Sequence, residues 1–239
     1  MRRTALISGA SRGLGAELAT FLAAQDFELV LTARGADDLA TFARTVLDGG
    51  NRIIAIAGDV ADAEHRGRLM AAAEDLGGLD LLVNNASELG PSPLPALSDF
   101  PLAALERIFA VNVLAPLALV QAALPMLAAR KDLVVNVSSD AAVGGYPGWG
   151  GYGASKAALD LISATLANEL KSRGVAVVAV DPGDMRTAMH QAAYPGEDIS
   201  NRPLPEVTIP FWAWLLGQAR DAVSGRCYRA QDERWEVQP

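Results

Sequence analysis

The sequence predicts an α/β fold, a doubly wound parallel sheet with helices on both faces. Short apolar runs alternate with longer stretches whose apolar residues recur at helical spacing, the pattern of βαβ units. The short runs are apolar nearly throughout, as in strands covered on both faces. No Pro/Ser-rich linker, charge block, low-complexity tract or tandem repeat divides the 239 residues, and 51% of them are hydrophobic, ample for a sizeable core. A single domain over residues 1–239 is therefore expected, although length alone would also accommodate two small ones.

The first strand is expected at 4–7. After it, Ser8-Gly9-Ala10-Ser11-Arg12-Gly13-Leu14-Gly15 spaces its glycines Gly-x-x-x-Gly-x-Gly and leads into a segment, 16–22, of helical period. Strand, glycine turn and helix form the context of a dinucleotide-phosphate cradle. Glycines let the backbone turn sharply and approach a pyrophosphate, and the helix N-terminus offers unpaired N–H donors and a favourable dipole. The spacing is not the Gly-x-Gly-x-x-Gly of the more general fingerprint. Further strands are expected at 28–32, 52–57, 79–83, 132–137 and 175–180, with a short last one near 226–229. Asp37 and Asp38 read as the start of the helix after the second strand. A long helix through 102–129 should be interrupted or bent near Pro116, and another should run from about 152 to 173 and stop before Gly174. This is a Rossmann-like sandwich, whose site is expected at the carboxyl ends of the strands. Gly9, Asp59, Asn85, Ser139 and Pro182 each follow a strand, so they should gather along one edge.

Tyr152 and Lys156 stand four residues apart in Tyr-Gly-Ala-Ser-Lys, with Ser139 thirteen residues before the tyrosine. On a helix that spacing puts phenol and ammonium on one face. A free tyrosine has a pKa of about 10, too high for acid–base work near neutrality. A cation held beside it favours the phenolate and draws the pKa down. Ser139 adds a hydroxyl suited to a substrate oxygen. Tyr146 lies nearby but has no lysine four residues on, and strand alternation points Ser138 away from Ser139. A serine nucleophile would need a histidine base, and the two histidines, His65 and His190, lie in a polar helix start and an irregular segment. No cluster of His, Cys and carboxylates suggests a metal.

These residues resemble the single-domain short-chain dehydrogenase/reductase family, over most of the chain. Supporting motifs are Asp59-Val60 after the third strand, Asn84-Asn85-Ala86 after the fourth, Val111-Asn112-Val113, Ser138-Ser139 after the fifth and Pro182-Gly183 after the sixth, in the family's order and spacing. The resemblance implies hydride transfer between nicotinamide C4 and a carbonyl or carbinol carbon. It implies Tyr152 as proton donor or acceptor, Ser139 on the substrate oxygen, Lys156 on the nicotinamide ribose, and Asn112 anchoring a water that links the lysine to solvent. It implies cofactor contacts from Gly9, Ser11, Arg12, Gly13, Leu14, Gly15, Arg34, Asp59, Val60, Asn85, Ala86, Tyr152, Lys156, Pro182, Gly183 and Thr187. Among these Asp59 would take the adenine amino group and Thr187 the nicotinamide carboxamide; a plain helix cap is the alternative for each. One of Asn84 and Asn85 is expected to tie neighbouring strands. Ser87 departs from the family's Asn-Asn-Ala-Gly, and the tail Cys227-Tyr228-Arg229-Ala230-Gln231-Asp232 lacks the Asp-Gly-Gly-like turn of many relatives, which removes the basis for a tetramer contact made there.

NADP rather than NAD is expected. The second strand ends Val30-Leu31-Thr32-Ala33-Arg34, with no carboxylate for the ribose 2′-hydroxyl. Arg34, with Arg12, offers charge for a 2′-phosphate. The net charge of −8 argues against general nucleic-acid binding. The single Cys227 excludes an intramolecular disulfide and fits a reducing compartment. Only Met1-Arg2-Arg3 precede the first strand, with no signal-like apolar segment, and no apolar run is expected to span a bilayer, so a cytoplasmic protein is expected. A small carbonyl or alcohol substrate should sit between segment 144–151 and a loop at about 188–205. Phe211, Trp212 and Trp214, at helical spacing, read as packing surface, with the pocket or an oligomer interface as alternatives. A homodimer or homotetramer through the long helices is plausible. The other compatible class is a non-catalytic dinucleotide-binding redox sensor, which would need none of Ser139, Tyr152, Lys156 and Asn112.

Overall fold

The computed structural model describes residues 2–46 and 50–237; the extreme ends of the expected 1–239 domain, and 47–49, lie outside the described residues. Strands β1 (Thr4–Ser8), β2 (Glu28–Ala33), β3 (Ile53–Ala57), β4 (Leu81–Asn84), β5 (Leu133–Val137), β6 (Ala176–Asp181) and β7 (Cys227–Arg229) form one sheet in the order β3-β2-β1-β4-β5-β6-β7. Every neighbouring pair is parallel. Each expected strand is present, within two residues of its expected bounds. The strand order reverses direction between β1 and β4, and the crevice of such a sheet lies outside their carboxyl ends.

Strand alternation sorts side chains into two apolar layers. Ala5, Ile7, Leu29, Leu31 and Val83 face α1 (Gly13–Ala24), α2 (Ala36–Val46) and α9 (Ile209–Leu216). Leu6, Val30, Leu82, Val134 and Val177 face α3 (Ala63–Asp75), α5 (Ala115–Arg130) and α7 (Gly150–Leu170). Full burial of a Leu such as Leu6 or Leu119 contributes about 1.5–3 kcal/mol. Phe211 and Trp212 are buried in the first layer, where Phe211 stacks against Trp214, Tyr228 and Trp235. They form core, away from the pocket.

The α-helical pattern is interrupted just before Pro116. Between α4 (Leu102–Phe109) and α5 lies a π turn, Ala110–Leu114, that continues the helix, and Pro116 just after it has no N–H to give the carbonyl one turn back. The π turn carries Asn112. By length and composition alone the rod Leu102–Arg130 is apolar enough to cross a membrane, which corrects the expectation that no run would be. Half of its most apolar stretch is buried inside the protein, because Leu119, Val120, Ala123 and Leu127 cover the sheet.

α7 continues into a 3-10 turn at Lys171–Arg173 and stops at Gly174, as expected. Between β5 and α7 lies the short α6 (Ala141–Gly144), after β6 comes α8 (Ala188–Ala193), and α10 (Arg220–Val223) precedes β7.

His65, in the first turn of α3, is fully buried. Arg68 donates to its Nδ1 at 3.3 Å, so Nε2 carries the proton and donates to Thr32 Oγ1 at 2.7 Å. Burial first, then Arg68, lowers its pKa below the usual histidine value. The fold therefore needs neutral His65. Its contribution is complete above the unfolded pKa of about 6.5 and is lost as pH falls through the lower folded value. Urea unfolding should reveal an acid limb with a slope of at most about 1.4 kcal/mol per pH unit, the limit for one proton. His65→Gln, which keeps donor and acceptor but cannot titrate, should flatten that limb.

Candidate active site

A cleft of about 830 Å³ runs along the carboxyl ends of the strands. The sequence-predicted residues line it, except Gly15, which lies behind the loop, and Asn112, which is fully buried beneath it. At one end the backbone after β1 turns through Gly9 (φ 69°) and passes under the start of α1. A Cβ on Gly15 would stand 2.3 Å from the Gly9 carbonyl oxygen, and one on Gly9 would stand 2.9 Å from Ala86 Cα. Only glycine permits this approach. No side chain caps α1, whose first N–H groups therefore face the loop without intrahelical partners.

The crossover between β1 and β4 is tied by side chains. Ser8 Oγ accepts from the N–H groups of Asn85 and Ala86, each at 3.0 Å. Asn85 Nδ2 donates to the carbonyls of Ser8 (2.9 Å) and Gly9 (3.1 Å), so its amide holds the loop. Asn84 donates to Asn136 Oδ1 at 2.8 Å, tying β4 to β5. Both asparagines thus act between strands.

Along the lip at the ends of β2 and β3, Asp59 is not a helix cap: Asp62 caps α3 by accepting from Glu64 and His65. Asp59 Oδ1 accepts from Ala61 N–H at 2.9 Å and Oδ2 pairs with Arg107. Burial pushes its carboxyl up, but the Ala61 bond and the Arg107 charge more than offset this and hold it below the usual carboxylate value. Arg34 reaches across to Glu88 at 3.0 Å, and Arg12 stands exposed nearby. Thr187 lines the cleft and also caps α8, accepting from His190 N–H at 3.2 Å.

At the other end Ser139, Tyr152 and Lys156 converge. Lys156 Nζ, buried, donates to the Val137 carbonyl at 2.7 Å and lies 5.5 Å from the Tyr152 ring centroid. Burial draws its pKa down to about 8, against the nearby Asp160 charge. Burial likewise pushes Tyr152 up to about 12; hydrogen bonding with Ser87 and Ser139 opposes the rise, and Asp181 and Asp140 add to it. In the protein alone burial is the largest influence on the tyrosine, and the Lys156 charge is not among those acting on it. Asn112 is the hub beneath. Its Oδ1 accepts from Glu88 N–H (2.7 Å) and Ser87 Oγ (3.3 Å), while its Nδ2 donates to the Glu88 carbonyl and Ser155 Oγ, each at 2.9 Å. The amide has no capacity left for water.

Segments 144–151 and 188–194 meet beside Tyr152, where Trp149, Leu89, Leu94, Met189 and Tyr194 form an apolar wall. Trp149 packs edge-on to Tyr152 at 5.7 Å and lies 6.2 Å from Tyr194. Glu88, Arg107 and Gln231 escaped the sequence reading. Gln231 donates to the carbonyls of Pro182 and Asp184, fixing the turn around Gly183. None carries a local signal, since each acts through a partner distant in sequence.

The model of the short chain dehydrogenase family matches residues 3–198. The 2-(R)-hydroxypropyl-CoM dehydrogenase of Xanthobacter autotrophicus is 31% identical over 194 residues, 80% of this chain and 78% of that protein. The L-xylulose reductase of Caenorhabditis elegans is 32% identical over 211 residues, 87% of this chain and 82% of that protein. A short chain dehydrogenase from Shigella flexneri, solved in complex with NADP, superimposes with a TM-score of 0.88 at 30% identity, covering 96% of this chain and 97% of that one. With its parallel sheet, its glycine cradle and its Ser-Tyr-Lys cluster, the chain belongs to the short-chain dehydrogenase/reductase family of NAD(P)-dependent oxidoreductases.

Proposed function

We propose that the protein is an NADPH-dependent oxidoreductase that reduces a carbonyl to an alcohol, or runs the reverse, with Tyr152 as proton donor or acceptor. The observation that carries this reading is the convergence of Ser139, Tyr152 and Lys156 in one cleft with the glycine cradle. The cradle fits a dinucleotide: Cβ-free backbone at Gly9 and Gly15 lies beside an uncapped helix start, a ready site for pyrophosphate. Arg34 and Arg12 favour the 2′-phosphate of NADP, for which Arg34 would leave Glu88. The NADP complex of the Shigella relative supports that choice.

When bound, the reduced dinucleotide supplies the hydride at nicotinamide C4. Tyr152, kept protonated at neutral pH by its burial, donates its proton to the substrate oxygen, which Ser139 holds from the end of β5. Lys156, steadied by the Val137 carbonyl, bonds the nicotinamide ribose. Asp59 takes the adenine amino group and Thr187 the carboxamide. The Asn112 side-chain amide ties segment 87–88 to the helix of Tyr152, so a water linking Lys156 to solvent would be held by the main-chain carbonyl of Asn112, to which Pro116 offers no N–H. The apolar wall favours substrates with hydrocarbon beside the carbonyl. Exposed Leu102, Leu114 and Leu161 offer apolar contact for a homodimer or homotetramer.

Tyr152→Phe should lower NADPH-dependent turnover over a carbonyl panel by at least about a hundredfold, while calorimetry should find NADP⁺ affinity nearly unchanged. Reduction needs the protonated phenol, so its rate should hold through neutrality and fall at alkaline pH; oxidation should rise with pH. A native chain that binds NADPH without turning over any carbonyl would favour the sensor. Arg34→Ala should weaken NADP⁺ by about tenfold and leave NAD⁺ unchanged, with the difference shrinking as salt screens the pair.

A further inference from the structure

At the catalytic end of the cleft one negative charge is left without a cation. Asp140, Asp181 and Asp184 all line that end. Asp181 is answered by Arg229 at 3.7 Å and Asp184 by Arg202 at 3.4 Å. Asp140 has hydroxyls instead: its Oδ1 accepts from Ser139 Oγ at 3.2 Å and its Oδ2 from the Tyr146 hydroxyl at 3.1 Å. Among the described residues it makes no ion pair. The other basic groups of the cleft are engaged elsewhere. Lys156 donates to the Val137 carbonyl, Arg34 pairs with Glu88 and Arg107 with Asp59, and burial holds His190 below the usual histidine value.

On the reductase reading of the Ser139, Tyr152 and Lys156 site, we propose that the cleft takes carbonyl compounds bearing a cationic nitrogen, and that Asp140 is the residue that selects them. A carboxylate offers about four acceptor sites, and Ser139 and Tyr146 occupy two, so Asp140 can take a further partner. A cationic nitrogen is drawn to it by charge. The rings of Tyr146, Trp149 and Tyr194 line the same end and offer π faces to the carbons around that nitrogen. Trp149 stands 5.7 Å from Tyr152 and 6.2 Å from Tyr194, so these rings border the catalytic oxygen.

The shared serine fixes where the charge belongs. A bond of about 2.8 Å from Ser139 to the substrate oxygen puts that oxygen within about 6 Å of Asp140 Oδ1. The nitrogen therefore sits a few bonds from the carbonyl. A polyhydroxylated substrate fits less well, because the wall of Leu89, Leu94 and Met189 gives its hydroxyls no partner. An anionic one would meet Asp140 with like charge.

The test uses two ketones of one shape, phenacyltrimethylammonium and phenyl neopentyl ketone, which differ only in a charged nitrogen for a neutral carbon. Calorimetry measures their binding to the protein with NADP⁺, which has no hydride to give, and without it. The native chain should favour the charged ketone, with the margin shrinking as salt is raised. Asp140→Asn, which keeps the shape and still accepts from Ser139, should lower the charged-to-neutral affinity ratio about tenfold. Affinity for the neutral ketone should stay within about twofold of native, and Asp140→Glu should retain the charge preference. No detectable binding of the charged ketone, or an affinity ratio that survives Asp140→Asn, would overturn the proposal. Tighter binding of neutral phenacyl alcohol than of the charged ketone would overturn it too. NADPH oxidation with the same pair separates this failure from that of the reductase reading. Turnover of the neutral ketone alone keeps the reductase and sinks the charge preference. A charge preference in binding, with neither ketone turned over, keeps the selection by Asp140 and counts against the reductase.

Discussion

The carboxyl edge of the sheet depends on how closely the backbone at Gly9 passes beneath Gly15. That approach leaves 2.3 Å between the Gly9 oxygen and the place a Cβ on Gly15 would take. Asn85 fills the remaining space with an amide that holds the two carbonyls after β1, and Ser8 answers with a hydroxyl that takes two N–H groups from the β4 side. The two strands are thus locked where their ladder ends, and the start of α1 is presented to the cleft. The glycine turn after β1 and the Ser139, Tyr152 and Lys156 cluster after β5 keep a fixed separation because β1, β4 and β5 lie side by side in one parallel sheet.

At the catalytic end, burial sets the chemistry. A phenol and an ammonium share a desolvated site, and desolvation favours the neutral form of each, raising Tyr152 and lowering Lys156. The site is consequently built to give a proton, and charge or hydrogen bonding must be added to make it take one. Asn112 keeps that geometry rigid by spending its whole amide on segment 87–88 and on Ser155, which in turn donates to the Tyr152 carbonyl at 2.6 Å. The π turn at Ala110–Leu114 carries this asparagine.

The strands, the glycine turn, the end of α7 at Gly174 and the Tyr152/Lys156 face were legible in the sequence. Each is a local requirement: a run of apolar residues that must be covered, a position where no Cβ fits, a pair one helical turn apart. Which face of the apolar rod Leu102–Arg130 covers the sheet was not legible, because hydropathy alone does not reveal what a helix packs against. Asp59 was ambiguous for a similar reason, since either it or Asp62 could cap α3 and only the chain path selected Asp62.

The sequence by itself determined the parallel sheet, the order of motifs along it and the chemical types gathered at its edge. The tertiary structure alone decided which polar groups those motifs meet: Arg34 with Glu88, Asp59 with Arg107, Gln231 with the Pro182 turn, and Ser87 with Asn112. The physical reason is range. Backbone and helical-face constraints act within a few residues, whereas these pairings join residues 25 to 54 positions apart and exist only once the strands have found their register.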